Sequence, residues 1–189
     1  TKTLIREFNK EVEVIIAGNP RFGKTYIDFN LKFKNCLILL PRLFYNKSNL
    51  NLLEEISKLS ESGIKILVKL HPSLERLEYF KLCEKYNFKM IKEGVLLNQL
   101  LKSNEVDFCV TFNSSVYIES LFHGKICFRY ALGENEIFSE IDDYFVNINE
   151  ILIKIESFRN STSNRLVTDL KEFISAKYIP NFNYTLLNK

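Results

Sequence analysis

Histidine is scarce in this sequence, and none of its cysteines forms a Cys-x-x-Cys pair. The only histidines, His71 and His123, lack the spacing to the cysteines that a structural zinc site requires. We therefore expect no structural zinc site. The four cysteines are predicted to be free, buried thiols in a reducing cytoplasm: Cys36, Cys83, Cys109 and Cys127.

Long apolar runs and a strong net charge are also missing. No apolar run reaches the roughly 18 residues of a membrane span, and the formal net charge of +3 is too small to indicate nucleic-acid binding. The chain starts at Thr1 without a signal-peptide pattern, so we expect a piece of a longer cytoplasmic protein. Basic residues are weighted toward the first fifty positions. This bias fits either an ordinary solvated face or loose peripheral contact with the inner face of a membrane.

The 189 residues, 46% of them hydrophobic, suffice for one domain with a full core, and we predict a single domain over 1–189. Continuously apolar strands alternate with helices, which indicates an α/β fold with a doubly wound, parallel, Rossmann-like sheet. The predicted strands are 12–17, 35–40, 64–70, 88–91, 107–112, 126–130 and 145–148. The predicted helices are 48–62, 74–86, 95–101, 149–158, 163–176 and one that follows the 107–112 strand.

The helix at 74–86 is predicted from a cap and an apolar face. Ser73 stands at the N-cap position. Leu77, Phe80 and Leu82 are expected to face the core.

The stretch 107–124 predicts a strand, a tight polar turn and a helix. Asn113, Ser114 and Ser115 follow the apolar strand directly, and Gly124 ends the helical pattern. A helix N-terminus carries unpaired N–H groups and a partial positive charge, so this turn suits a phosphate. The serines would equally serve as ordinary N-caps, and the pattern alone leaves both interpretations open.

Polar residues follow other strands as well. Arg42 comes after the 35–40 strand, and His71 with Pro72 after the 64–70 strand. Ligands of open α/β sheets bind at the carboxyl edge, where the strand order reverses. In the common doubly wound order the 35–40 and 107–112 strands are neighbours there. We therefore expect these side chains and the serines to converge on a phosphate.

Glu119 lies four residues after Ser115, on the same helix face. Its carboxylate would reach ribose hydroxyls while the helix N-terminus holds the phosphate. An ordinary exposed glutamate explains the spacing equally well.

His71-Pro72 and Asn113-Ser114-Ser115 resemble the His-Pro and Ser-Ser motifs of bacterial sialyltransferases, polysialyltransferases and related capsule transferases of the GT-B fold. The stretch 18–22, Gly-Asn-Pro-Arg-Phe, and the run from Ser114 to Gly124 are also similar to segments of such enzymes. The resemblance covers roughly residues 12–130 and combines several short motifs in order.

This resemblance implies that the chain is the C-terminal, donor-binding half of a GT-B glycosyltransferase. The donor would be a CMP-sugar such as CMP-sialic acid or CMP-Kdo, and the acceptor a glycan or lipid-linked glycan. His71 would contact the nucleotide phosphate and assist its departure, Ser114 and Ser115 would bind the same phosphate, and Glu119 the ribose. The reaction would be inverting and need no metal, because the helix N-terminus, His and Ser stabilise the leaving phosphate.

The family carries its catalytic base in an N-terminal domain, on an acidic-acidic-Gly motif. Here Asp142-Asp143 is followed by Tyr144 and lies near the other end of the sequence. The resemblance therefore implies that an N-terminal acceptor domain completes the enzyme outside this chain.

Three alternatives stay open from the sequence. A polyol-phosphate transferase with a CDP-linked donor also places a Lys-x-His-Pro stretch, here 69–72, at a strand end. A nucleotide-sugar epimerase half shares the two-domain fold, although two histidines do not supply its acid/base set. A non-catalytic Rossmann-like interaction module would use the polar turns only as caps.

Overall fold

The structure is a computed structural model, and it describes residues 27–112, 114–131, 141–160 and 165–177. The predicted strand at 12–17 and the turn at 18–23 lie outside these residues. The chain divides into two compact units, one spanning Ile27–Leu170 and the other combining 1–26 with 171–189. The first unit contains the whole described sheet.

Strands and helices alternate along the described chain. The strands are β1 Asn35–Leu39, β2 Lys65–Lys69, β3 Lys89–Met90, β4 Phe108–Thr111, β5 Cys127–Tyr130 and β6 Tyr144–Phe145. The helices are α1 Asn46–Glu61, α2 Arg76–Lys85, α3 Leu97–Lys102, α4 Ser115–Phe122, α5 Ile148–Asn160 and α6 Arg165–Lys177, with a 3₁₀ turn at Leu43–Tyr45.

The six strands form one parallel sheet in the order β3-β2-β1-β4-β5-β6. This confirms the predicted doubly wound α/β fold and the pairing of β1 with β4. Cys36 pairs with Phe108 and Ile38 with Val110 in that central register. Because the chain leaves β1 toward β2 and leaves β4 toward β5, the strand order reverses between β1 and β4.

The central strands are buried because helices flank the sheet. Right-handed crossovers, the general rule for parallel strands, put α1 and α2 on one face and α4 on the other. One aromatic cluster contains Phe33, Phe108, Phe128 and Phe158. Each of these rings contacts two others in the cluster, at centroid distances of 5.2 to 6.1 Å. The four cysteines are free and buried, as predicted.

The prediction for α2 is wrong in its phase and its cap. Leu77 and Phe80 are 60% and 44% exposed, whereas Tyr79 and Cys83 are buried. The Tyr79 hydroxyl donates to Asn46 Oδ1 at 2.6 Å, which holds the face of α2 that carries Tyr79 and Cys83 inward. Leu82, the third residue predicted to face the core, is half-buried. The N-cap position is Glu75, and Ser73 lies in the preceding loop.

The last strand is also shorter than the predicted 145–148. The Asn147 side chain accepts from the backbone N–H of Asn149 at 3.0 Å and of Glu150 at 3.2 Å. Such an asparagine cap starts a helix, so Ile148 begins α5 and does not extend β6.

A buried polar cluster, consisting of Arg129, Asp143 and Tyr117, joins β5, the segment before β6, and α4. Arg129 Nε donates to Asp143 Oδ1 at 2.7 Å, and the guanidinium also donates to the Ile141 carbonyl at 3.2 Å. The Tyr117 hydroxyl donates to Asp143 Oδ2. The guanidinium lies over the Tyr117 ring, 5.0 Å from its centroid. These bonds fix α4 against the sheet.

Within the described ranges, no helix combines the length and the apolar character needed to cross a bilayer.

Candidate functional site

A cavity of about 440 Å³ opens at the carboxyl edge of the sheet, beside the point where the strand order reverses. Its walls come from the loops that follow β1, β2 and β3 and from the start of α4. The lining residues are Leu39, Leu40, Pro41, Arg42, Lys69, Leu70, His71, Pro72, Gly94, Val95, Leu96, Ser114, Ser115 and Val116. The volume falls within the usual range of small-ligand pockets, about 300–1,000 Å³.

Most of the residues predicted to bind the phosphate meet at this cavity. Arg42, His71, Pro72, Ser114 and Ser115 all line it, although they come from three separate loops. The topology therefore brings together side chains that lie up to 73 positions apart in the sequence.

Two predicted residues are not placed in the cavity wall. Asn113 lies outside the described residues. Glu119 is half-buried on α4 and does not line the cavity, so its role at a ribose stays a prediction.

A larger depression, of about 720 Å³, lies at the opposite edge of the sheet. It includes Asn35 and Lys65, the first residues of β1 and β2, and the exposed ion pair between Lys89 and Glu105, 3.4 Å apart. Ligands of open parallel sheets bind at the carboxyl edge, so the cavity at that edge is the candidate ligand site.

His71 is held by its neighbour Ser73. The Ser73 backbone N–H donates to His71 Nδ1 at 3.1 Å, and Ser73 Oγ lies 2.9 Å from the same nitrogen. The Leu43 backbone N–H donates to Ser73 Oγ at 3.1 Å. The loops that carry Arg42 and His71 are thus joined through one serine hydroxyl.

The start of α4 does not use Ser114 as a side-chain cap. Ser114 occupies the N-cap position with φ −148° and ψ 164°, but its side chain makes no capping hydrogen bond. Its hydroxyl lies 3.5 Å from Thr111 Oγ1, which donates to the Leu39 carbonyl at 3.0 Å. Ser115 is the first helical residue and is exposed. For Ser114, the interpretation as an ordinary side-chain cap is therefore wrong.

The cavity wall carries basic groups without acidic ones. Arg42, Lys69 and His71 line it, and no aspartate or glutamate is among its lining residues. The Arg42 side chain is exposed and forms no ion pair with another residue of the described ranges. The first-turn N–H groups of α4 add a partial positive charge. An anion is the ligand that this arrangement favours.

Lys69 is a wall residue for which no role was predicted from the sequence. Its Nζ donates to the Val95 carbonyl at 2.8 Å. Burial lowers the Lys69 pKa, and the nearby Arg76 guanidinium lowers it further. Its place two residues before His71, on the same strand face, is the feature of the sequence that could have identified it. Val95 and Leu96, predicted to begin a helix, instead form the wall contributed by the loop after β3.

In the part of the chain that the structure describes, no group of three His, Cys, Asp or Glu side chains is arranged to hold a metal ion. The Asp142-Asp143 pair does not approach the cavity wall: Asp142 is exposed and pairs with Lys154, and Asp143 belongs to the buried polar cluster.

No protein-family model matches this chain, and no curated protein matches it at a significant level of sequence similarity.

Proposed function

We propose that this chain is the donor-binding domain of a glycosyltransferase that uses a CMP-activated sugar, of the sialic acid or Kdo type, in bacterial surface polysaccharide synthesis. The observation that carries the proposal is the meeting of Arg42, His71, Ser114 and Ser115 in one cavity beside the strand reversal. The choice of cytidine and of the sugar class rests on the resemblance of the His-Pro and Ser-Ser motifs.

In this proposal the phosphate of the donor lies between the start of α4 and the loops after β1 and β2. The α4 N–H groups and the Ser114 and Ser115 hydroxyls donate to its oxygens. Arg42 and Lys69 supply positive charge at the same wall. Bond cleavage at the sugar leaves negative charge on CMP, and groups fixed in advance stabilise that charge without reorganising.

His71 donates a hydrogen bond to a phosphate oxygen of the departing CMP. The sugar is transferred to a glycan or lipid-linked glycan at the inner face of the membrane. The base that activates the acceptor comes from the N-terminal domain of the GT-B enzyme.

Calorimetric titration with CMP and UDP tests the proposal. We expect CMP to bind in preference to UDP. His71→Ala should lower the affinity for CMP about tenfold or more, since hydrogen bonds to charged groups contribute about 1.5–3 kcal/mol. His123→Ala is the matched control, because His123 lies at the C-cap of α4 and does not line the cavity; its affinity for CMP should stay unchanged.

Each other outcome contradicts the proposal in a different way. Failure of both nucleotides to bind would support a non-catalytic interaction module. Tighter binding of CDP-glycerol than of CMP would support a polyol-phosphate transferase. Unchanged affinity in His71→Ala would show that the cavity is not the CMP site.

A further inference from the structure

Ser73 is an exposed residue outside every helix and strand, yet three hydrogen bonds converge on it and on His71. Ser73 N–H and Ser73 Oγ both contact His71 Nδ1, at 3.1 and 2.9 Å, and the Leu43 N–H contacts Ser73 Oγ at 3.1 Å. A helix cap, the role predicted for this serine from the sequence, is not what its side chain does.

Chemistry fixes the direction of each of these bonds. A backbone N–H only donates, so the Ser73 amide requires a lone pair on His71 Nδ1. Because Nδ1 then carries no proton, the Ser73 O–H is the donor in its contact with Nδ1, and a lone pair of the same oxygen accepts from the Leu43 amide. A neutral imidazole holds its single proton on one of its two nitrogens. That proton therefore belongs on Nε2.

We propose that Ser73 is a positioning residue, which holds His71 in the Nε2–H tautomer and so presents a hydrogen-bond donor to an anionic oxygen in the cavity. Among the described residues, Nε2 makes no hydrogen bond that would compete with such a ligand. The identity of the anion, the phosphate of CMP, rests on the proposed function. The tautomer itself depends only on the contacts of Ser73.

The same hydroxyl also links the two basic loops. Leu43 directly follows Arg42, so the bond from the Leu43 N–H to Ser73 Oγ ties the backbone beside Arg42 to the loop of His71. A single serine thus orients one phosphate-binding side chain and anchors the loop of the other. A serine that only stabilised the turn after β2 would not select the tautomer of a ring two residues away.

Nitrogen-15 NMR of the imidazole distinguishes these roles, because protonated and unprotonated ring nitrogens have well-separated chemical shifts. At alkaline pH, where imidazoles are neutral, the wild-type His71 spectrum should show the proton on Nε2. Ser73→Ala removes one of the two donors to Nδ1, so we expect the tautomer ratio to move toward Nδ1–H about fivefold. Ser73→Thr keeps the hydroxyl and should restore the wild-type ratio.

The affinity for CMP provides the second readout. Ser73→Ala should weaken CMP binding about fivefold, and Ser73→Thr should restore it to within about twofold. Ser57→Ala is the matched control, because Ser57 Oγ donates only to the Glu54 carbonyl on α1, at 2.6 Å; neither readout should change.

The two proposals fail separately. A wild-type proton on Nδ1, or an unchanged tautomer ratio in Ser73→Ala, overturns the role of Ser73 whether or not CMP binds. If CMP does not bind the wild type but the ratio shifts as expected, the proposed function is wrong and the positioning of His71 stands.

Discussion

Helix α4 contributes to two groups of polar side chains: those that line the carboxyl-edge cavity and those of the buried polar cluster. The first group has few hydrogen bonds within the protein, whereas the second is bonded internally. In the buried polar cluster, Arg129 and Asp143 have side chains 2% and 0% exposed, and they bond to each other. In the cavity, Arg42 and Ser115 are exposed, and Ser114 makes no capping bond. One helix thus begins at the cavity, and its first turn also carries Tyr117, which bonds Asp143 in the buried polar cluster.

This difference in hydrogen bonding within the protein indicates which of the two polar groups is the better candidate for binding a ligand. A buried ion pair whose donors and acceptors are matched to each other stabilises one arrangement of the chain and offers a ligand little. Polar groups at a cavity wall that have few protein partners retain hydrogen-bonding capacity for a ligand. By this criterion Asp143, although it is buried and has a raised pKa, is a structural residue, and His71 is the candidate for binding a ligand.

The largest effect should come from breaking the buried pair. Asp143→Ala leaves the Arg129 guanidinium buried without its carboxylate, and such losses typically cost about 3–5 kcal/mol. Chemical denaturation monitored by circular dichroism measures the free energy of unfolding.

Asp142→Ala is the matched control for that measurement. Asp142 is 80% exposed and pairs with Lys154 at the surface, so we expect a loss of no more than about 1 kcal/mol. Similar losses for the two variants would contradict the assignment of Asp143 as the structural aspartate.

The pH dependence of unfolding should also identify Asp143. Burial raises the Asp143 pKa from about 3.8 to about 6, against the opposing effects of Arg129 and Tyr117. A raised pKa in the folded state means that the stability from this group is fully present below about pH 3.8 and is lost as the pH rises through about 6.

Comparison with Asp143→Asn isolates this contribution, since asparagine does not titrate. Relative to that variant, the wild type should lose up to about 3 kcal/mol in unfolding free energy between acidic and neutral pH, from about 1.4 kcal/mol per pKa unit. If the wild type instead gained unfolding free energy relative to Asp143→Asn as the pH rises, the attraction of Arg129 for the carboxylate would outweigh the effect of burial on the Asp143 pKa.

The sheet and most of the cavity wall were predictable from the sequence, because both follow from the order of apolar segments. Once strands alternate with helices, the doubly wound arrangement brings the ends of β1, β2 and β4 to one edge. Arg42, His71 and Ser114 therefore meet whatever the details of their side chains.

Side-chain partners were not predictable in this way. Ser73 has the sequence context of a helix cap, and only the backbone of the loop turns it toward His71. The phase of α2 depends on the bond from Tyr79 to Asn46, 33 positions away. The pairing of Asp143 with Arg129 needs the segment before β6 to return beside β5, which no local pattern indicates.

Arg42→Ala should weaken CMP binding about tenfold, equal to about 1.4 kcal/mol, while the free energy of unfolding changes by less than about 0.5 kcal/mol. The expectation follows from an exposed guanidinium at the wall of the proposed anion site. Arg165→Ala, another exposed arginine, on α6, is the control and should leave the affinity unchanged. An equal affinity for CMP in both variants would exclude Arg42 from the site.

Ser114→Ala should have the smallest effect. It tests directly whether the Ser114 side chain caps α4 or binds the ligand. An N-cap serine that bonds its helix typically contributes about 1 kcal/mol. The Ser114 side chain makes no such bond, so we expect the free energy of unfolding to fall by less than about 0.5 kcal/mol. The affinity for CMP should fall about fivefold, since one hydrogen bond to the phosphate is lost.

Denaturation and calorimetric titration of the same variant decide between the two roles of this serine. A loss of about 1 kcal/mol in stability with unchanged affinity would make Ser114 a cap, and the anion site would then lack one of its predicted donors. A lower affinity with unchanged stability would instead make Ser114 a ligand-binding residue. Helix α4 would then have two separate roles, because Tyr117, two residues after its first residue, bonds Asp143. The start of the helix would then bind the anion, and Tyr117, still in the first turn, would hold the helix in place.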